Sequence, residues 1–108
     1  MFIRMAHLFY KPECRDNATR LFEEGVLPIL GRQNGAVAAQ LVGEPSGNER
    51  IAITVWEDEK TYRDFLVSED MKSITEMFAE MYIDDRLPFG YDFPVIRERI
   101  FKSLAPTP

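Results

Sequence analysis

His7 is the one imidazole in this chain of 108 residues. Near neutral pH an imidazole is the best general base such a chain owns. It lies in FIRMAHLFY, residues 2–10, between Arg4 and Tyr10. A guanidinium can hold a phenolate or carboxylate, and a phenol can orient a hydroxyl. The plainer expectation is that Arg4 and Tyr10 sit at strand ends and reach solvent. Trp56, the one tryptophan, could wall a cleft for an aromatic ligand or carry electrons. The stronger expectation is a large apolar plug whose N–H finds an acceptor. Cys14 is the one cysteine, so no intrachain disulfide forms, and such usage suits a reducing cytosol. A reactive thiol needs surroundings that stabilise the thiolate. Arg15 alone offers little of that, so Cys14 reads as an incidental thiol where a helix starts. One histidine and one cysteine cannot make a Cys/His zinc site, and there is no glycine-rich phosphate loop.

These residues have to be positioned by a small framework. The length suits one domain, expected over residues 1–102 and followed by a disordered tail at 103–108. Apolar residues make up 45% and charged residues 29%, as in ordinary globular proteins. The formal net charge of -5 argues against nucleic acid, which requires a basic surface. No apolar run is long enough to cross a membrane. The opening MFIRMAHLFYKPE is too short and too interrupted for a signal peptide and reads as a strand. A cytoplasmic protein is expected.

Phe2 to Tyr10 is apolar and aromatic, as strands are. One face would carry Phe2, Arg4, Ala6, Leu8 and Tyr10, the other Ile3, Met5, His7 and Phe9. Pro12 ends the strand. Asp16 or Asn17 can cap a helix whose stripe is Ala18, Leu21, Phe22, Val26, Ile29 and Leu30. Pro28 should kink that helix. Gly35 to Val42 and Arg50 to Trp56 read as a hairpin joined by the turn-rich GEPSGNE. Asp58 caps a helix burying Tyr62, Phe65 and Leu66, and Ser68 caps a continuation burying Met71, Ile74, Phe78 and Met81. Glu57, Asp58 and Glu59 suit the positive end of a helix dipole, which accounts for them without acid–base work. Tyr82 to Phe93 reads as irregular, with Pro94 opening a last strand, Val95 to Lys102. Arg97 and Arg99 around Glu98 would guard that strand as a charged edge. The segment from Asp84 to Phe93, with three aromatics, reads as a lid over a cleft or a contact across a dimer.

Strand, helix, hairpin, helix, strand is the split βαβ order of an α+β, ferredoxin-like fold. It gives a four-stranded antiparallel sheet with both helices on one face. The other face would then leave a large apolar patch in water. A second copy related by a two-fold axis is the simplest cover, so a homodimer is expected. Between helices and sheet, Ala6, Leu8, Phe65, Ile74 and Phe78 either fill the space or line it. The small Ala6, Ala52 and Ala79 favour a cavity, into which Thr54 and Thr75 could place hydroxyls.

Lys11-Pro12 after the first strand, Val26-Leu27-Pro28 late in the first helix, Gly35 before the second strand, and Val55-Trp56-Glu57-Asp58 followed by Tyr62, Phe65 and the Ser68 to Lys72 segment resemble the antibiotic biosynthesis monooxygenase-like (ABM) domains. The resemblance runs over roughly residues 2 to 102. It implies a dimeric α+β barrel with a ligand held in each subunit between sheet and helices. Cofactor-free oxygenases of polycyclic phenols or quinols belong to that family, as do haem-degrading members. The haem pattern of Asn, Trp and His falls here on Leu8, Phe65 and Thr75, so a haem ligand set is not met. A histidine that quinol-oxidising relatives carry before a Met-Lys pair is replaced by Asp70. Leu8 falls on a cleft-facing position, which sends His7 to the opposite face.

The resemblance therefore implies a cofactor-independent monooxygenase, binding a small aromatic or quinone-like molecule with Arg4, Ala6, Leu8, Tyr10, Phe65, Ile74, Thr75 and Phe78. No catalytic residue is assigned, and no metal or other cofactor is expected. The alternative is a non-catalytic binding or accessory domain of the same fold.

Overall fold

The computed structural model describes residues 1–101. The expected tail at 103–108 lies outside the described residues. β1 (Phe2–Phe9) is central, paired antiparallel with β3 (Glu49–Trp56) on one side and β4 (Phe89–Pro94) on the other. β2 (Ala36–Val42) pairs with β3, which gives the order β2-β3-β1-β4. This is the ferredoxin-like arrangement expected from the element order.

The first helical region is longer than the capping residues imply. A 3-10 turn at Pro12–Cys14 runs directly into α1 (Arg15–Leu21), so neither Asp16 nor Asn17 caps it. Pro12 starts the turn because a first-turn proline has no hydrogen bond to lose. Phe22–Val26 then widens into a π-helical turn before α2 (Leu27–Gly31). Pro28 supplies the reason. It cannot donate to the carbonyl of Glu24 four residues back, and its ring would crowd that carbonyl. Widening the turn relieves both problems without a sharp kink, and it keeps Phe22, Val26 and Leu30 buried on one side.

The second helical region follows local signals closely. Asp58 accepts a hydrogen bond from the Thr61 amide at 2.8 Å and opens α3 (Glu59–Leu66). Hydrogen bonds to the ionised carboxylate hold the Asp58 pKa below its usual value. Ser68 accepts from the Met71 amide at 3.2 Å and opens α4 (Glu69–Phe78). Tyr62, Phe65 and Phe78 are buried by these helices against the sheet.

The last strand differs from the expectation. β4 is Phe89–Pro94, and Pro94 closes it rather than opening a strand at Val95. Phe89, Tyr91 and Phe93 alternate with Gly90 and Asp92, which is a strand period. Pro88, Gly90 and the nearby acids obscure that signal in the sequence. Proline is tolerated here because β4 is an edge strand with one bonded side. The lid expected over 84–93 is therefore, from Phe89 on, part of the sheet. Arg97, Glu98 and Arg99 lie exposed outside any strand and guard no edge.

The register divides the sheet into two faces. Phe2, Arg4, Ala6 and Leu8 face the helices, level with Trp56, Thr54, Ala52 and Arg50 of β3. The opposite face carries continuous rows, Val55–Ile3–Phe93 and Ile53–Met5–Tyr91. Tyr91 and Phe93 are 52% and 56% exposed. His7 lies on this outer face, its ring 4.7 Å from Phe89 and its Nδ1 3.2 Å from Glu49.

Gly35 locks α2 to the start of α3. Its φ is +88°, and a Cβ there would lie 2.5 Å from the Thr61 side chain. Its carbonyl accepts from the Glu57 amide at 2.8 Å. Gly35→Ala combines left-handed strain with that clash and should lower stability by about 2–3 kcal/mol. Gly31, with open space around its Cβ position, is the control. Gly31→Ala should change stability by less than about 1 kcal/mol. Urea unfolding of both variants checks the pair.

Candidate functional site

A cavity of about 260 Å³ lies between the inner sheet face and the helices. All eight residues singled out from the sequence, Arg4, Ala6, Leu8, Tyr10, Phe65, Ile74, Thr75 and Phe78, line it. Ala52 and Thr54 line it as well, so the space over the small residues of β1 and β3 is open. Ala79 does not contribute. It follows the end of α4 and is exposed. Thr75, Pro88 and Phe89 are the solvent-exposed members of the lining, which places the mouth between α4 and the start of β4, with the Phe89 ring itself turned to His7 on the outer face.

Neither Arg4 nor Tyr10 reaches freely into solvent as a strand-end residue would. The Arg4 side chain is 29% exposed and donates from Nη1 to the Tyr62 hydroxyl at 2.8 Å. That hydroxyl donates on to Asp92 Oδ2 at 3.2 Å. Arg4 and Arg63 approach the same carboxylate at 3.8 and 3.5 Å. Two guanidiniums thus share one carboxylate, which leaves this end of the cavity positive. Burial raises the pKa of Tyr62, and the Arg4 charge and hydrogen bond partly offset the rise. Arg4 is the one charged side chain in the lining.

Tyr10 is 2% exposed and stacks on Tyr82 at 5.4 Å between ring centres. Tyr82 is held beside it by an isolated bridge, with the Lys11 amide donating to Met81 and the Ile83 amide donating to Phe9. Burial drives the Tyr10 pKa far upward, and the neighbouring Tyr82 adds to this. Burial also raises Tyr82.

Three tyrosines that stay neutral in the fold but ionise near pH 10 when unfolded give a definite alkaline signature. A raised folded pKa means that the folded state holds its protons more tightly. That stabilisation is complete below pH 10 and is lost as pH rises through the folded pKa values. Stability should fall steeply above about pH 10. In Tyr10→Phe the fall should be shallower, as read by urea midpoints at pH 9, 10 and 11.

Trp56 is 1% exposed, packs on Phe65 at 5.1 Å, and donates from Nε1 to Thr54 Oγ1 at 3.0 Å. It is the expected plug, and one edge of it also lines the cavity. Tyr62, Tyr82, Phe22, Val26 and Leu30 were missed as lining residues. For Tyr62 a signal existed, since a buried tyrosine rather than phenylalanine implies a partner for its hydroxyl. Asp70, in the place of the relatives' histidine, accepts from Gln33 Nε2 at 2.7 Å and does not line the cavity.

A model of the family described as antibiotic biosynthesis monooxygenase matches residues 1–77. The chain belongs to that family. Solved structures of low sequence identity share its fold. A monooxygenase from the gene ActVA-Orf6 of Streptomyces coelicolor, in complex with nanaomycin D, superposes with a TM-score of 0.76 at 18% identity, covering 94% of this chain and 92% of that one. Rv0793 from Mycobacterium tuberculosis gives 0.74 at 13% identity, covering 90% and 96%. A conserved protein from Methanosarcina mazei Go1 gives 0.70 at 18%, covering 86% and 91%. No curated protein sequence matches the chain significantly.

As an ABM protein, the chain can be tested against the haem chemistry found in part of that family. Leu8, Phe65 and Thr75 supply no iron ligand, and no histidine or cysteine lines the cavity. His7 points to the outer face. The residues do not reproduce a histidine- or cysteine-ligated haem site. Among the described residues no cluster of His, Cys, Asp and Glu is arranged to hold a metal ion, and no helix is long and apolar enough to cross a membrane.

Proposed function

We propose that this ABM protein is a cytoplasmic homodimer in which each subunit binds one small aromatic or quinol-like molecule and oxidises it with dioxygen, without a bound cofactor. The carrying observation is the cavity, apolar over most of its wall, with a few hydroxyls and one cation. Its composition is that of a small-molecule site. In such chemistry the ionised ligand supplies the electrons and dioxygen accepts them. One oxygen atom enters a ring carbon and becomes a quinone oxygen, and the other leaves as water with that carbon's hydrogen and the proton of the ligand's hydroxyl. The protein excludes water and holds the ligand's charge. The exposed apolar rows of the outer sheet face support the dimer, since a second copy would cover them.

One observation favours a non-catalytic binding or accessory domain instead. The lining holds no imidazole or carboxylate to accept a ligand proton. Two measurements separate the readings. Thermal-shift titration with quinols and polycyclic phenols should show saturable stabilisation. Ala6→Leu should fill the cavity and weaken binding at least about tenfold while the fold is kept, because a leucine there occupies the ligand's space. Oxygen uptake by the bound quinol, above its rate in buffer, supports oxidation. Binding without uptake selects the accessory reading, and no binding by any of the panel removes both.

A further inference from the structure

The cavity has two polar ends of different character. At one, Arg4 is flanked by Tyr62 and Arg63 of α3 and by Asp92 of β4, with a net positive charge. Thr54 lies directly across from Arg4 in the strand register. Its oxygen already accepts from Trp56, so its own hydrogen remains for a ligand. At the other end are Tyr10, buried, and Tyr82, half-buried, stacked on each other with no cation in the lining beside them, the Arg50 guanidinium acting on Tyr10 from behind the wall. Burial keeps both phenols protonated. The two phenols are close enough for one hydroxyl to bond the other, and a pair that shares one hydrogen leaves one donor over. Thr75, the remaining hydroxyl of the wall, donates to the Met71 carbonyl at 3.0 Å.

Arg4 and Tyr10 are six residues apart on one strand face, about 20 Å between their Cα atoms. The Arg4 guanidinium leans over Gly90, level with Ala6, and this shortens the span toward one suited to two or three fused rings. Ala6 and Ala52, paired in the register between the two ends, keep the wall low there. We propose that the cavity holds its aromatic ligand lengthwise along β1, an ionised phenol or enol oxygen against Arg4 and Thr54, and a neutral carbonyl oxygen against the Tyr10–Tyr82 pair. This deepens the function proposed above and rests on it. It also accounts for the missing base. A ligand whose hydroxyl is made acidic by a conjugated carbonyl and by the Arg4 charge ionises by releasing its proton to solvent.

Three matched probes test the polarity. These are 6-acetyl-2-naphthol, with an ionisable hydroxyl and a carbonyl at opposite ends, 2-naphthol, without the carbonyl, and 2-acetylnaphthalene, without the hydroxyl. Calorimetric titration should show 6-acetyl-2-naphthol binding at least about tenfold tighter than 2-acetylnaphthalene, as a charged hydrogen bond requires, and about fivefold tighter than 2-naphthol. The absorbance of bound 6-acetyl-2-naphthol against pH should show its hydroxyl ionising at lower pH than in buffer. That measurement needs only the wild-type protein.

Arg4→Gln should abolish the advantage over 2-acetylnaphthalene and leave that over 2-naphthol. Tyr82→Phe should do the reverse. Arg4→Lys, which keeps the charge, should retain the acid shift of the bound probe. Equal affinity of all three probes, each displaced by Ala6→Leu, would overturn the polarity and leave the binding function standing. Failure of all three to bind would overturn both. An upward shift of the bound hydroxyl's ionisation would refute the anionic end on its own.

Discussion

Trp56→Ala should lower the unfolding free energy by about 3–5 kcal/mol, the usual cost of deleting a buried indole. Trp56 is 1% exposed, and Phe65 and Tyr62 pack on it at 5.1 and 6.0 Å between ring centres. It pairs with Phe2 of β1 and with Ala36 of β2, so it closes the sheet end nearest α3. Losing it would also free Thr54 Oγ1, which now accepts its N–H at 3.0 Å. Trp56→Phe keeps most of the buried ring and loses that hydrogen bond, so it should cost only about 1–2 kcal/mol. Circular dichroism during urea unfolding must follow both variants, because the chain has no other tryptophan to report by fluorescence. A loss of oxidation in Trp56→Phe with stability almost unchanged would instead assign the indole a part in the chemistry. The cavity-lining edge of Trp56 makes that a real contest.

Arg50→Met should cost about 2–4 kcal/mol, with the damage concentrated in residues 43–48. The Arg50 side chain enters the hairpin connection and donates to the carbonyls of Glu44, Gly47 and Glu49 at 2.8 to 3.0 Å and of Pro45 at 3.2 Å. Its Nε reaches Thr19 Oγ1 at 3.4 Å, which ties the loop to α1. At 7% exposed, it is the one charged residue among the buried ones described. A planar guanidinium presents five donors in a fixed fork, whereas lysine offers one point charge. Arg50→Lys should therefore recover less than half of the loss. Hydrogen exchange at Gly47, whose amide donates to Glu44 at 2.9 Å, should speed up in both variants. If Arg50→Met unfolds like wild type, the loop carbonyls are satisfied by water and the guanidinium is dispensable.

Both results bear on what was legible in the chain. Asp58 and Ser68 were readable as caps because capping joins a side chain to an amide three residues on. The two faces of β1 were readable because alternation is local. Alternation separated Arg4, Ala6, Leu8 and Tyr10 from His7, and the family resemblance at Leu8 pointed to the first set as the helix side, where the structure has them. The family-bearing run Val55-Trp56-Glu57-Asp58 has the same local character, a strand passing straight into a capped helix.

Arg50 shows the opposite case. In sequence it is the first residue of a strand after a polar loop, a place where arginine ordinarily meets water. Only the closed hairpin lays four carbonyls around it, and α1 adds Thr19 as a fifth acceptor. β4 failed in the sequence for a related reason. Its proline and glycine are tolerable because β1 pairs with only one of its edges, and that pairing joins residues about ninety positions apart. The same distance hid the site's electrostatics. Arg4, Tyr62 and Asp92 come from β1, α3 and β4 and meet only when the sheet closes.

The residue pattern alone determined the element order, the ferredoxin-like class and the two-faced first strand, and the family resemblance added which of the two faces meets the cleft. The first three depend on periodicity or on contacts within a few residues. Tertiary structure decided that the cleft is open over Ala6 and Ala52, that Arg4 is held by Tyr62 and Asp92, and that Tyr10 is sealed beside Tyr82. Whether small side chains leave a void, and which charges share it, depends on how far apart packed elements come to rest. No local rule of the chain carries that distance.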